Sequence, residues 1–386
     1  MTSPIEPFHL HLPDEALEDL RHRLSITRWP ERETVDDVSQ GPQLAKLQAL
    51  CAYWADGYDW RACEDLLNGF GQYKTTIDGL GIHFLHVRSP EPDALPLLMS
   101  HGWPGSVLEF RKLIGPLTDP RAHGGDPRLA FHVVAPSMPG FGFSDKPTTT
   151  GWGLDRIADA YITLMDRLGY ERWGMQGGDL GCAVSDVIAR KAPAACVGMH
   201  LNFAMFPPTP DEIADATDDE RAMLGSAKQF WDELSGYAKE QSTRPQTIGY
   251  SLADSPSGLA AWIYAMFQDT GGTPGDAEAT FAVDEMLDDI TLYWLTNTGA
   301  SSARLYWELA RSGGPRPGTP DDPIALPTGF TMFPAEHVRK SERWVRRRYT
   351  NVVRFAWAGH GGHFGALEAP ETMVDEIRTT FAALLS

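Results

Sequence analysis

A chain of 386 residues, 42% hydrophobic and 22% charged, has the balance of a soluble globular protein, long enough to bury a large core and to allow two or more domains. Its formal net charge of −19 argues against nucleic acid, or an anionic membrane surface, as a partner. The four cysteines, Cys51, Cys63, Cys182 and Cys196, have neither CxxC nor metal-ligand spacing, so reduced, buried thiols in a cytoplasmic protein are expected, with no metal and no disulfide framework.

The amino terminus carries no basic region followed by an apolar run, so no signal peptide is expected. Nowhere does the chain hold the roughly 18 consecutive apolar residues of a membrane anchor. Leu17, Leu20 and Leu24, then Leu44, Leu47, Cys51 and Trp54, recur at helical spacing. Pro30, in Arg28-Trp29-Pro30-Glu31, ends any helix before it. Residues 1–72 are thus a predicted helical leader packing on the main body.

From Tyr73 the pattern turns strand-like. Tyr73–Ile77 and Ile82–Arg88 flank Asp78-Gly79-Leu80-Gly81, a hairpin signal. Leu95–Ser100 and Ala130–Ala135 read as buried strands, separated by a helix around 107–117. A helix around 154–168 then leads to a further strand, Arg172–Gln176. Strand and helix in alternation predict an α/β fold, a mostly parallel central sheet flanked by helices, and active sites in such sheets collect at the carboxyl ends of strands. Residues 205–320 interrupt the alternation as a predicted helical lid, opened by Phe206-Pro207-Pro208 and closed by Gly313-Gly314-Pro315-Arg316-Pro317-Gly318. The sheet pattern resumes at Gly329–Phe333 and Val352–Ala356, and a last helix carries Met373, Ile377, Phe381 and Leu384 on one face. The expected units are a leader at 1–72, core at 73–204 and 321–386, and a lid at 205–320.

The most informative stretch is Gly177-Gly178-Asp179-Leu180-Gly181-Cys182, between the strand ending near Gln176 and a helix beginning at Ala183. A sharp strand-to-helix turn needs small residues around it so that one side chain stands exposed at its apex; here that side chain is a carboxylate. Such a nucleophile attacks a carbon bearing a leaving group and forms an alkyl ester that water must cleave. Gly359-His360-Gly361-Gly362-His363-Phe364 follows the last strand and offers His363 as the base for that water, with His360 the competitor. Glu336, in Phe333-Pro334-Ala335-Glu336, sits where an acid would orient the imidazole. The order nucleophile, acid, histidine is that of the α/β-hydrolase architecture. His101-Gly102-Trp103-Pro104-Gly105, directly after a buried strand, supplies a turn with free amides. The amides of Trp103 and Leu180 are the expected oxyanion donors, a role worth roughly 3–4 kcal/mol to the barrier.

Together, His101-Gly102-Trp103-Pro104-Gly105, Pro139-Gly140-Phe141-Gly142-Phe143-Ser144, Gln176-Gly177-Gly178-Asp179-Leu180-Gly181 and Gly361-Gly362-His363-Phe364 resemble the epoxide hydrolases of the microsomal type. The resemblance runs through nearly the whole chain, including Arg28-Trp29-Pro30 and the lid segment from Thr243-Arg244-Pro245 to Asp254-Ser255-Pro256. It implies an epoxide and water as substrates, a vicinal diol as product, and no cofactor. It also implies two lid tyrosines that donate to the epoxide oxygen, at Tyr237 and Tyr306, with Tyr250 the alternative to Tyr237. A phenol with a pKa near 10 stays protonated at neutral pH and can protonate a departing alkoxide. The sequence departs from the family twice. The anchor of membrane-bound relatives does not occur in it, and Leu180 stands where tryptophan is common.

Two rivals share these features. A haloalkane dehalogenase would use the same aspartate and histidine but needs halide donors, of which Trp103 could be one. A non-catalytic binder on this fold is disfavoured by the intact set Asp179, Glu336 and His363. Oligomeric state is open, a homodimer being one option.

Overall fold

Nine strands join in one sheet in the computed structural model, which describes residues 3–191, 193–314 and 319–385. They are β1 (Glu6–Phe8), β2 (Gln72–Ile77), β3 (Leu80–Val87), β4 (Leu95–Ser100), β5 (Phe131–Pro136), β6 (Trp173–Gly177), β7 (Cys196–Leu201), β8 (Thr328–Met332) and β9 (Val352–Trp357). Their order is β1-β2-β3-β5-β4-β6-β7-β8-β9. The pairs β1–β2, β2–β3 and β3–β5 are antiparallel; all others are parallel. Every residue of β4 and β6 is buried, which is why these strands read as runs without alternation: helices cover both sides of a parallel sheet. Helices 154–167 and 179–191 pack as one pair, and helices 111–118 and 370–385 as another.

The hairpin turns on two residues, not four. Asp78 (φ 51°) and Gly79 (φ 79°) both adopt the left-handed region, as a tight turn between twisted strands demands, so Leu80 and Gly81 already belong to β3, opposite Ile77 and Thr76. Two strands carry no clear sequence signal. β1 places a strand inside the leader, where Glu6, Pro7 and Phe8 pair with Lys74, Tyr73 and Gln72. β7 fills the gap between β6 and β8, and its polar His200 is fully buried, with Nε2 bonded to Thr331 Oγ1 at 2.9 Å.

The leader also contains helices 14–25, 44–56 and 60–69. The leader bonds helix 283–296: Trp54 Nε1 donates to Thr291 Oγ1 (2.8 Å) and Tyr58 Oη, from between the second and third of these leader helices, to Asp288 Oδ1 (2.6 Å). Between β7 and β8, α-helices at 210–214, 218–229, 236–243, 245–254, 256–270, 283–296 and 299–311 follow one another. Pro245 and Pro256 each start a helix, where a missing N–H costs nothing. Thr209 and Thr217 form capping boxes with Glu212 and Glu220. Glu212 is fully buried and also takes a two-pronged bond from Arg348 (2.9 and 2.8 Å), whose guanidinium lies 4.1 Å from the centre of the Phe206 ring. That pair ties the root of the helical region to the segment after β8. Of the expected closing breaker, Gly313 and Gly314 are described; Pro315, Arg316, Pro317 and Gly318 lie outside the described residues. Among the described residues no helix is long and apolar enough to cross a membrane, and all four cysteines are buried and unpaired.

Candidate active site

β6 ends at Gly177, and a helix starts at Asp179. Asp179 has φ 44°, an uncommon conformation for a residue with a Cβ and one that an over-determined turn must hold. The surrounding glycines supply that restraint. A Cβ on Gly177 would lie 2.6 Å from the Gly181 carbonyl oxygen, and one on Gly181 would collide with the carbonyl oxygen of Ser100 in β4. The turn is therefore pressed against its neighbours, and the Asp179 carboxylate projects at the carboxyl end of the sheet.

Two groups meet that carboxylate directly. The Trp103 amide donates to Oδ1 at 2.9 Å, and His363 Nε2 lies 3.5 Å from Oδ2. Leu180 is the second residue of the elbow helix, where an amide has no carbonyl four residues back within the helix to bond. The turn carrying Trp103 is fixed by His101, whose Nδ1 bonds Gly102 O (2.9 Å) while Nε2 accepts from the Met138 amide (3.1 Å). Burial depresses His101 to about 4, so it serves as a neutral brace.

His363 is held on three sides. Its amide donates to Thr270 O (2.9 Å). Glu368 accepts from the amides of Gly362 (2.8 Å) and Phe364 (2.9 Å). Its Nδ1 meets Glu336 Oε2 at 2.6 Å, and the other oxygen of Glu336 accepts from the Val338 amide at 2.8 Å. Glu336 is only 7% exposed, against the solvated glutamate that a loop position would suggest. Burial disfavours charge on both partners, yet each one's charge outweighs it for the other. The imidazole is raised well above its ordinary value by Glu336 and Asp179, and the Glu336 carboxyl is lowered chiefly by His363. The competitor His360 is exposed.

The tyrosines arrive on two helices, 236–243 and 299–311, that pack on each other. The Tyr237 ring stacks on Trp103 (centroids 4.9 Å, planes 14° apart), and Tyr306 meets both rings edge-on at 5.9 and 6.0 Å. Burial first, and the Asp179 charge among the further causes, push both phenols up, so both stay protonated. Tyr250 is 70% exposed and is not part of this cluster. All seven residues singled out in the sequence therefore gather at one place. Glu109, Gln176, Asn202 and Glu368 join them without having been singled out. Only the glutamine, inside the elbow motif, carried any local signal. A larger cavity of about 260 Å³, bordered by Trp152, Arg304 and Trp307, includes none of these groups.

A mostly parallel sheet, a strained elbow and a helical cap define an α/β hydrolase. Residues 96–247 match the family model described as "alpha/beta hydrolase fold", and residues 5–110 match "Epoxide hydrolase N terminus". The chain is 52% identical over 98% of its length to a protein of Stigmatella aurantiaca whose naming as an epoxide hydrolase is itself provisional, covering 85% of it. It is 35% identical over 97% of its length to epoxide hydrolase 1 of Sus scrofa, covering 88% of that protein. The solved structure of Aspergillus niger epoxide hydrolase superposes with a TM-score of 0.88 at 30% identity, over 99% of this chain and 97% of that one. The juvenile hormone epoxide hydrolase of Bombyx mori superposes at 0.89 with 27% identity, over 99% and 95%. The chain belongs to the epoxide hydrolase family, in the branch that carries the N-terminal leader.

Proposed function

We propose that this enzyme opens an epoxide to a vicinal diol through an ester on Asp179. The epoxide oxygen is held by the hydroxyls of Tyr237 and Tyr306. A carboxylate oxygen of Asp179 attacks a ring carbon in line, the ring C–O bond breaks, and a phenol protonates the departing alkoxide. The tyrosinate recovers its proton from the His363 imidazolium. Esterification removes the Asp179 charge, one of the groups that keeps His363 protonated, so the imidazole becomes a base at the moment one is needed. His363 then takes a proton from water, the hydroxide adds to the ester carbonyl of Asp179, and the amides of Trp103 and Leu180 hold the oxyanion. Collapse expels the diol as its alkoxide, protonated by His363, and the Asp179 carboxylic acid returns its proton to the imidazole. Each step uses only the chain's own side chains and water.

The observation that carries this reading is the position of Asp179, which has the Trp103 amide at 2.9 Å and the His363 ring at 3.5 Å, while burial first, and its charge after burial, keep both phenols raised. Paired phenols suit an alkoxide leaving group, and this favours an epoxide over an alkyl halide as substrate. A single turnover in heavy-oxygen water tests it: the label is expected first in the Asp179 carboxylate, and label confined to the diol would overturn the ester route.

A further inference from the structure

On the ester chemistry above, hydrolysis requires one water molecule held between His363 and the Asp179 carboxyl carbon. A small cavity sits at that place, enclosed by Trp103, Glu109, Gln176, Asp179, Asn202 and His363, with room for about one water molecule. Polar groups in its wall have unused hydrogen-bonding capacity. Gln176 is 1% exposed; its Nε2 donates to Asn202 Oδ1 at 3.0 Å, while its Oε1 has no partner among the described residues. A buried, unpaired carbonyl oxygen is costly unless something donates to it.

Glu109 is the second such group. Its side chain lies back against the turn that carries Trp103, and both residues line the small cavity. A Cβ on Gly105 would collide with its Oε1; the glycine leaves the space that the carboxyl fills. No protein hydrogen bond holds that carboxyl among the described residues. Burial, reinforced by the charges of Asp289 and Asp179 and opposed by that of His363, pushes it up to about 8. The group therefore sits in the same electrostatic environment as the nucleophile and the base.

We propose that Glu109, together with the Gln176 carbonyl, is the cradle of the hydrolytic water. One O–H points at His363 Nε2 and the other is accepted by this polar wall, which leaves an oxygen lone pair facing Asp179 Cγ. When the water reacts, its O–H bond breaks towards His363, a C–O bond forms at Cγ, and the carbonyl electron pair moves onto the oxygen held by the amides. Glu109 neither gains nor loses a proton, so its contribution is to orientation, of the kind whose loss costs about 10- to 100-fold.

The test separates the two half-reactions by rapid quenching with styrene oxide and intact-protein mass spectrometry. Glu109→Leu is expected to form the alkyl-enzyme at the wild-type rate and to hydrolyse it about 10- to 100-fold more slowly, so that the adduct accumulates. Glu109→Gln, which keeps an acceptor oxygen, is expected to recover part of the loss. Unchanged ester hydrolysis in Glu109→Leu overturns the proposal, as does equal slowing of both half-reactions in the two variants. His363→Gln serves as the reference trap: absence of an adduct there overturns the ester reading itself, independently of Glu109.

Discussion

The two flanks of Asp179 are held by different forces. On one side, hydrogen bonds of 2.6 to 2.9 Å join His363 to Glu336 and the amides flanking His363 to Glu368, on the segments that follow β8 and β9. On the other, Trp103, Tyr237 and Tyr306 meet through rings 4.9 to 6.0 Å apart, two of them carried by lid helices. Charge-assisted bonds fix direction, whereas ring packing fixes shape and tolerates small shifts. On the proposed mechanism the hydrogen-bonded flank would activate water and the aromatic flank would protonate the leaving group; the lid enters both, through the two tyrosines and through Thr270 O, which accepts from the His363 amide at 2.9 Å. Substitutions on helices 236–243 and 299–311 should therefore act on the aromatic flank more than on the hydrogen-bonded one.

Removing the residue common to both flanks should have the largest effect. Asp179→Asn is expected to lower kcat/KM by at least ~10³-fold, checked by diol formation. It should also lower the His363 pKa, because one of the charges that raises it is gone; ring-proton NMR titration would register an unchanged value as a contradiction. Breaking the hydrogen-bonded flank comes next. His363→Gln is expected to leave alkylation intact and slow ester hydrolysis by ~10²- to 10⁴-fold, so the adduct should be visible by mass.

The aromatic flank should give the opposite split. Tyr306→Phe and Tyr237→Phe are each expected to slow alkylation by roughly 10- to 100-fold, with loss of a proton donor, and to leave hydrolysis of a preformed ester unchanged. Tyr250→Phe should do neither. The smallest effect on turnover is expected from the buried pair at the root of the lid, where the measurement is stability. Glu212→Gln leaves Arg348 buried without its charge partner, which costs about 3–5 kcal/mol and would appear in urea unfolding. Burial opposes ionisation of Glu212, but the Arg348 bond overrides it and holds the carboxyl down at about 2. A lowered carboxyl stabilises the fold fully above its ordinary value, and that contribution fades as pH falls towards 2. Acid unfolding of wild type should thus be steeper below pH 4.5 than that of Glu212→Gln.

The elbow, the Trp103 turn and the His363 loop were legible because each is a local backbone constraint, written in glycines within a few residues of the side chain concerned. Glu336 was legible from its place after a strand. Tyr237 and Tyr306 were not legible from composition or spacing, since nothing local distinguishes them from Tyr250; only the resemblance selected them. The rest depends on contacts distant in sequence. β7 reads poorly because Gly198 and His200 break its apolar run, and His200 becomes acceptable only once Thr331 stands beside it. Glu212 finds Arg348 across 136 positions, and Glu109 looks like a surface residue of a short helix until the fold brings Asp289 and His363 near it.

The leader's attachments have a consequence for how the molecule comes apart. Arg23, Lys46, Trp54 and Tyr58 grip Asp254, Glu278, Thr291 and Asp288, which all lie between residues 245 and 296. These segments should exchange amide hydrogens as one cooperative unit with the leader. Helix 299–311 packs on helix 245–254 as well as on helix 236–243, so the leader's grip reaches the tyrosine-bearing helices at second hand, and removing the leader would loosen residues 245–296 first.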